Sequence, residues 1–218
     1  MKNGTGITSE GLRKSVVLFY QYRGGELMRP TFGVVVKTGG IYFAVSVAHT
    51  VEDRERFEVW TGVHPDVAKG FGMRTAGRCL FAGPPDSAQI ADDEDLMAVR
   101  LDEDRRHAFE SVVSDVGLLR PALIACLDFE PDGAQVLNEV LDCQAGLVER
   151  EDALHLRLSC LGKGGMSGAP VVIPASGGEF GLVGLYTGTP KATPLTGTAT
   201  AEHANVVRIG KFLAALRA

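Results

Sequence analysis

Apolar residues recur along this chain at every second position, in short runs. Ile41, Phe43, Val45 and Val47 alternate with Tyr42, Ala44 and Ser46, and similar runs cover 15–22, 31–38, 57–63, 76–82 and 95–101. A second series covers 121–127, 140–148, 153–160, 169–174 and 180–187. Period two sends successive side chains to opposite faces of a pleated strand. The runs are separated by Gly, Pro and Asp rather than by long stretches of helical period, which predicts an all-β fold instead of alternating βαβ units. The two series, 41–48 included, are joined by a charged connector, Asp102-Glu103-Asp104-Arg105-Arg106-His107 through Val116-Gly117, with room for a helical turn or two. The Thr, Gly, Ala and Pro of 187–201 read as a mobile loop.

Composition narrows the class. A chain of 218 residues buries roughly 70% of its unfolded surface, and 45% hydrophobic with 22% charged residues is ordinary for a globular enzyme. A net charge of −5 gives no basic footprint for nucleic acid, and the mixed cluster Glu52-Asp53-Arg54-Glu55-Arg56 reads as a solvated loop. No apolar run is long enough to span a membrane, and Met1 to Glu10 lack the apolar segment of a signal peptide. The expected location is therefore cytoplasmic. Cys79, Cys126, Cys143 and Cys160 are too scattered to suggest a zinc or C-x-x-C redox site. They are expected to be reduced and mostly buried, with no metal and no cofactor.

Chemistry concentrates at Gly164-Gly165-Met166-Ser167-Gly168-Ala169-Pro170, ahead of the apolar run Val171-Val172-Ile173. A serine between glycines, entering a buried strand, can present its hydroxyl outward while neighbouring N–H groups converge on one spot fit for an oxyanion. An ordinary Gly-rich turn would look the same. Two upstream motifs change that balance: Val47-Ala48-His49-Thr50 closes one alternating strand, and Asp95 heads another, Leu96-Met97-Ala98-Val99-Arg100-Leu101. Acyl transfer by serine needs a base and a carboxylate that orients it, and all three types occur, in the order His49, Asp95, Ser167. An α/β-hydrolase elbow needs G-x-S-x-G and a histidine last in the triad, whereas Ala169 occupies the final glycine position. A phosphate-binding loop needs G-x-x-x-x-G-K followed by Ser or Thr, and Lys163 is followed by Gly164. His64, His107, His155 and His203 lack any such context and read as structural, and Asp92, Asp93 and Glu94 do not directly head the strand as Asp95 does.

As VAHT, DLMAVRL and GMSGAP, these motifs resemble those of the trypsin-like (chymotrypsin-fold) serine peptidases. The gaps of 46 and 72 residues between them are similar to those of the compact bacterial branch that includes glutamyl endopeptidases and HtrA proteases. Gly181 to Gly188 resembles the strand lining that family's cleft, and Asn205 to Leu213 its last strand and closing helix. The resemblance implies two six-stranded antiparallel Greek-key β-barrels with a short C-terminal helix: 1–105 carrying His49 and Asp95, and 106–218 carrying Ser167. It further implies an oxyanion hole from the N–H groups of Gly165 and Ser167, and a substrate pocket at Leu161, Tyr186, Thr187, Gly188, Thr189 and Ala204. None of these is acidic, so cleavage after Arg or Lys is disfavoured, an unpaired buried cation being too costly. Thr50 stands where secreted relatives often carry a cysteine. Met166 stands where digestive members have aspartate, which argues against activation by a new N-terminus. The expectation is a cytosolic serine endopeptidase acting on a protein or peptide substrate, restrained by an activating or regulatory protein partner that orders the Gly162–Met166 loop. The alternative is a catalytically silent peptide-binding module that uses the same cleft for β-augmentation.

Overall fold

The computed structural model describes residues 6–51, 55–74, 77–91, 94–102, 107–131, 137–160, 162, 165–188 and 203–216. Eight strands form the first sheet: β1 (Val16–Arg23), β2 (Glu26–Leu27), β3 (Thr31–Thr38), β4 (Ile41–Val47), β5 (Arg56–Trp60), β6 (Cys79–Gly83), β7 (Gln89–Ala91) and β8 (Leu96–Leu101). Their order is β6-β5-β1-β3-β4-β8-β7, with β2 paired to β1. The second sheet holds β9 (Pro121–Pro131), β10 (Leu137–Glu151), β11 (His155–Leu158), β12 (Pro170–Pro174), β13 (Phe180–Gly188) and β14 (Ala204–Arg208). It closes as β10-β11-β14-β13-β12-β9. Helices α1 (Ser9–Ser15), α2 (Pro65–Gly70) and α3 (Gly210–Ala215) are short.

The alternation seen in the sequence places these strands. Val35 and Ala44 face the core of the first sheet with Phe19, Phe57 and Val99. Their neighbours Val34, Val36, Phe43, Val45 and Val47 face a shared core that also takes in Val172, Leu182, Val207 and Phe212 of the second sheet and α3. Strands β3 and β4 are thus buried on both faces, which explains the unbroken run Val34-Val35-Val36 where one-sided burial would require a polar residue. The interior of the closed barrel is a separate cluster of Ile124, Val148, Leu158, Val171 and Val206.

The all-β, two-barrel architecture with a C-terminal helix holds, with one difference of closure. The first sheet is a half-barrel, open between β6 and β7. The link between these strands contains Pro84 and Pro85, two residues with no N–H to give to a ladder and a fixed φ. Helices α1 and α2 lie largely outside the expected strand runs, and both starts are encoded. Thr8 caps α1 by accepting from the Gly11 N–H at 3.2 Å, and Pro65 sits in the first turn of α2, after the cap His64. The described part of the connector, 107–117, holds no helix. Phe109 and Val112 are instead drawn into bridges with Val36 and Leu182. The proposed mobile loop lies, beyond Gly188, outside the described residues up to His203. Of the four free cysteines only Cys126 is fully buried, while Cys79 and Cys143 are exposed, on the terminal strand β6 and on β10.

Candidate active site

His49 lies in a short 3-10 turn, Ala48–Thr50, that stops β4. Asp95 immediately precedes β8, the neighbour of β4, so the sheet register itself sets the two side by side. The carboxylate grips the histidine twice. Oδ2 lies 2.7 Å from the ring Nδ1, and Oδ1 accepts the His49 backbone N–H at 2.8 Å. The Asp95 carbonyl also accepts the Ala48 N–H at 3.0 Å. Asp95 adopts φ 53°, a left-handed conformation that Asp tolerates better than most residues and that clusters where surrounding contacts over-determine the backbone. With Nδ1 held by the carboxylate, Nε2 is left as the ring's basic position. The preceding acid, Glu94, is instead nearly buried and pairs with Lys211 of α3 at 2.9 Å. Asp92 and Asp93 fall outside the described residues.

Ser167 enters from the other sheet, just ahead of β12. Its carbonyl accepts the Phe32 N–H at 2.9 Å, and the Phe32 carbonyl accepts the Ser46 hydroxyl at 2.6 Å. Ser46 lies three residues before His49 on β4. Gly168 is pressed onto the same two groups: a Cβ there would stand 1.9 Å from the Phe32 carbonyl oxygen and 2.5 Å from Ser46 Oγ. Its φ of +83° also requires glycine. The serine is therefore joined to the His49–Asp95 pair by backbone docking rather than by a hydrogen bond from its hydroxyl. Such bonds are often loose without substrate.

Within the loop, Gly168 donates to the Tyr186 carbonyl at 2.8 Å and Ala169 to the Met166 carbonyl at 2.9 Å. The N–H groups of Gly165 and Ser167 have no such acceptor among the described residues. Gly165 has φ +91°, and Met166 is 4% exposed, inserted into the core of the closed barrel. An apolar plug thus holds this loop where digestive members carry aspartate. Nothing in the sequence pattern pointed to Ser46, Phe32 or Arg29, whose guanidinium lies against Gly165.

The expected pocket residues divide. Thr187 and Gly188 stand half-buried at the end of β13, with the Thr187 hydroxyl 3.4 Å from the Asn205 carbonyl. Tyr186 and Ala204 are buried in the barrel core instead. The Tyr186 ring lies so close to Gly162 that any side chain at Gly162 would collide with it. An aromatic ring large enough to fill that space is packed inward, so Tyr186 narrows the region rather than lining an open wall. Leu161 and Thr189 lie outside the described residues. Three of the four remaining histidines have structural partners: His64 caps α2, His155 neighbours Asp152, and His203 sits 2.7 Å from Glu149. Among the described residues no three His, Cys, Asp or Glu side chains group to hold a metal ion, and no helix is long and apolar enough to cross a membrane.

No known protein-family model matches the sequence, and no curated protein matches it. Solved structures do. The catalytically active tobacco etch virus protease complexed with product superposes with a TM-score of 0.60 at 11% identity, covering 99% of this chain and 81% of that one. The catalytically inactive protease complexed with substrate gives 0.57 at 13%, covering 95% and 84%, and a mutant of the protease gives 0.61 at 11%, covering 99% and 82%. The chain has a chymotrypsin-like protease fold. At this identity the likeness is one of fold, and the chemistry rests on the residues of this chain.

Proposed function

We propose that this protein is a serine endopeptidase that cleaves peptide bonds through an acyl-enzyme at Ser167. The observation that carries the reading is the pair of hydrogen bonds that Asp95 accepts from His49, at 2.7 and 2.8 Å, beside a serine loop docked on β3, the neighbour of the strand that delivers the histidine. In this reading His49 Nε2 takes the Ser167 proton as Oγ attacks the substrate carbonyl, then passes it to the leaving amine. Asp95 holds the tautomer and stabilises the imidazolium. The N–H groups of Gly165 and Ser167, which have no acceptor among the described residues, receive the oxyanion.

A serine rather than a thiol nucleophile is supported by the cysteines. Burial pushes the Cys79, Cys143 and Cys160 thiols above their ordinary range, away from the reactive thiolate, and none lies in the loop. The acyl side of the cleft is assigned to Thr187 and Gly188, neither of which carries a carboxylate to pair a basic side chain. Action is on a protein or peptide substrate in the cytosol, as limited proteolysis under the restraint of a protein partner. The test is digestion of a diverse peptide library by the wild type and by Ser167→Ala: reproducible new termini with the wild type alone support the proposal, and identical profiles overturn it. The silent peptide-binding module would bind peptides and yield no new termini.

A further inference from the structure

The segment Arg29–Phe32 runs from the edge of an apolar cavity to the Ser167 loop. At one end, the Phe32 N–H is bonded to the Ser167 carbonyl. At the other end, Arg29 lays its guanidinium on Gly165, with Cζ, Nε and Nη2 all within 2.9–3.0 Å of where a Cβ would be. Arg29 is exposed, and among the described residues no carboxylate pairs with it, whereas Arg13, Arg56, Arg157 and Arg208 each have one. Its neighbour Pro30 lines a cavity of ≈ 490 Å³ together with Tyr20, Val63, Val67, Met73 and Phe129. Phe71, which also lines it, is 75% exposed, so its ring face is open to a ligand in the cavity.

Charge, apolar cavity and nucleophile loop thus follow one another along a single stretch of chain. Thr187 and Gly188 of the acyl side belong to β13 of the second sheet, while the strip leads into β3 of the first and reaches Gly165. A peptide crossing the cleft would therefore meet Arg29 after its scissile bond. We infer that the Arg29–Phe32 strip and its cavity bind the leaving-group half of the substrate, selecting an acidic residue close after the cleaved bond and a bulky apolar residue further on. This rests on the endopeptidase reading for its direction along the cleft. The pairing of an unpartnered guanidinium with a carboxylate supplies the first preference, and the cavity, apolar apart from Asp128, supplies the second.

Two measurements on the full chain separate this inference from the activity itself. In library digestion, new N-terminal products should be enriched in Asp or Glu near their start. Arg29→Glu should lower kcat/KM for such substrates by about fivefold or more, the upper range for an exposed charge pair. The same change should raise kcat/KM for substrates with Lys in that place relative to those with neutral residues there. Replacing Phe71 by Ser should raise KM only for peptides long enough to reach the cavity. Cleavage with no acidic preference on that side, or with one that survives Arg29→Glu, overturns the inference and leaves the activity standing. If no cleavage occurs at all, peptides selected by display on Ser167→Ala protein decide the matter. Convergence on acidic residues followed by apolar ones, lost with Arg29→Glu, sustains the strip as a binding site, and any other consensus refutes it.

Discussion

Replacing Gly168 by alanine tests how Ser167 is held in place. The added Cβ would meet the Phe32 carbonyl oxygen at 1.9 Å, and even 3.0 Å, below which real Cβ contacts are essentially not seen, requires the two to part by 1.1 Å. The obstacle is β3 backbone, not the tip of a flexible side chain, and its oxygen is tied to Ser46 at 2.6 Å. Yielding therefore strains or breaks the Ser46–Phe32 and Phe32–Ser167 bonds, at about 1 kcal/mol each. A left-handed φ of +83° adds about 1–2 kcal/mol for a residue with a Cβ. The expected destabilisation is about 3–4 kcal/mol, and displacement of the loop by that margin lowers the reactive population by more than about a hundredfold. Gly165→Ala is the internal control. It shares the positive φ, +91°, but its close neighbours are the Arg29 guanidinium atoms at 2.9–3.0 Å, which can swing away. Only the backbone term of about 1–2 kcal/mol should remain. Urea denaturation of both variants, with the rate of fluorophosphonate labelling of Gly168→Ala, measures these quantities. Equal stability losses in the two variants, with parental labelling in Gly168→Ala, would refute the docking of this loop on β3.

Three further outcomes follow from the same geometry. Ser167→Ala should lose roughly 10⁶ in turnover with its melting temperature little changed, as read from peptide hydrolysis and circular dichroism. Asp95→Asn should cost roughly 10⁴ with the turn kept, since an amide Oδ1 can still accept the His49 backbone N–H, whereas Asp95→Ala should also destabilise the turn; loss of activity in Asp95→Ala with no change in stability contradicts the double grip. Burial and the nearby Glu58 push the Tyr22 phenol up to about 12. The unfolded chain ionises this group near pH 10, so its stabilising contribution is complete below that pH and lost as pH rises through 12. Denaturation midpoints followed across this range should fall more steeply in the wild type than in Tyr22→Phe, and parallel curves would remove Tyr22 from the account.

Much of this architecture is written in period-two patterning, because a strand with one buried face must alternate. The limits of β9 and β10 were less legible. Both run past the expected 121–127 and 140–148, since Asp128 and Glu130 on β9 and Asn138 and Glu139 on β10 interrupt the apolar run while the ladder between the two strands continues. Closure was not legible either, because it depends on whether two terminal strands meet, and the prolines between β6 and β7 act on donors rather than on hydrophobicity. At the site, His49 and Asp95 were readable because each ends or begins an apolar strand, and register brings such termini together. Ser46 and Arg29 were hidden, since a serine within a strand and an arginine in a hairpin carry no local mark of what they meet across the fold. Tyr186 was placed on the pocket wall by position along its strand, but its ring turns to the core, a choice made by the space above Gly162.

The most direct test of the central claim is to trap the acyl-enzyme. The protein is mixed with an activated ester, quenched in acid, and examined by intact mass and peptide mapping. A single acyl group on Ser167, absent in Ser167→Ala and strongly slowed in His49→Ala, is the predicted result. Acylation elsewhere, or at Ser167 with a rate indifferent to His49, would contradict it.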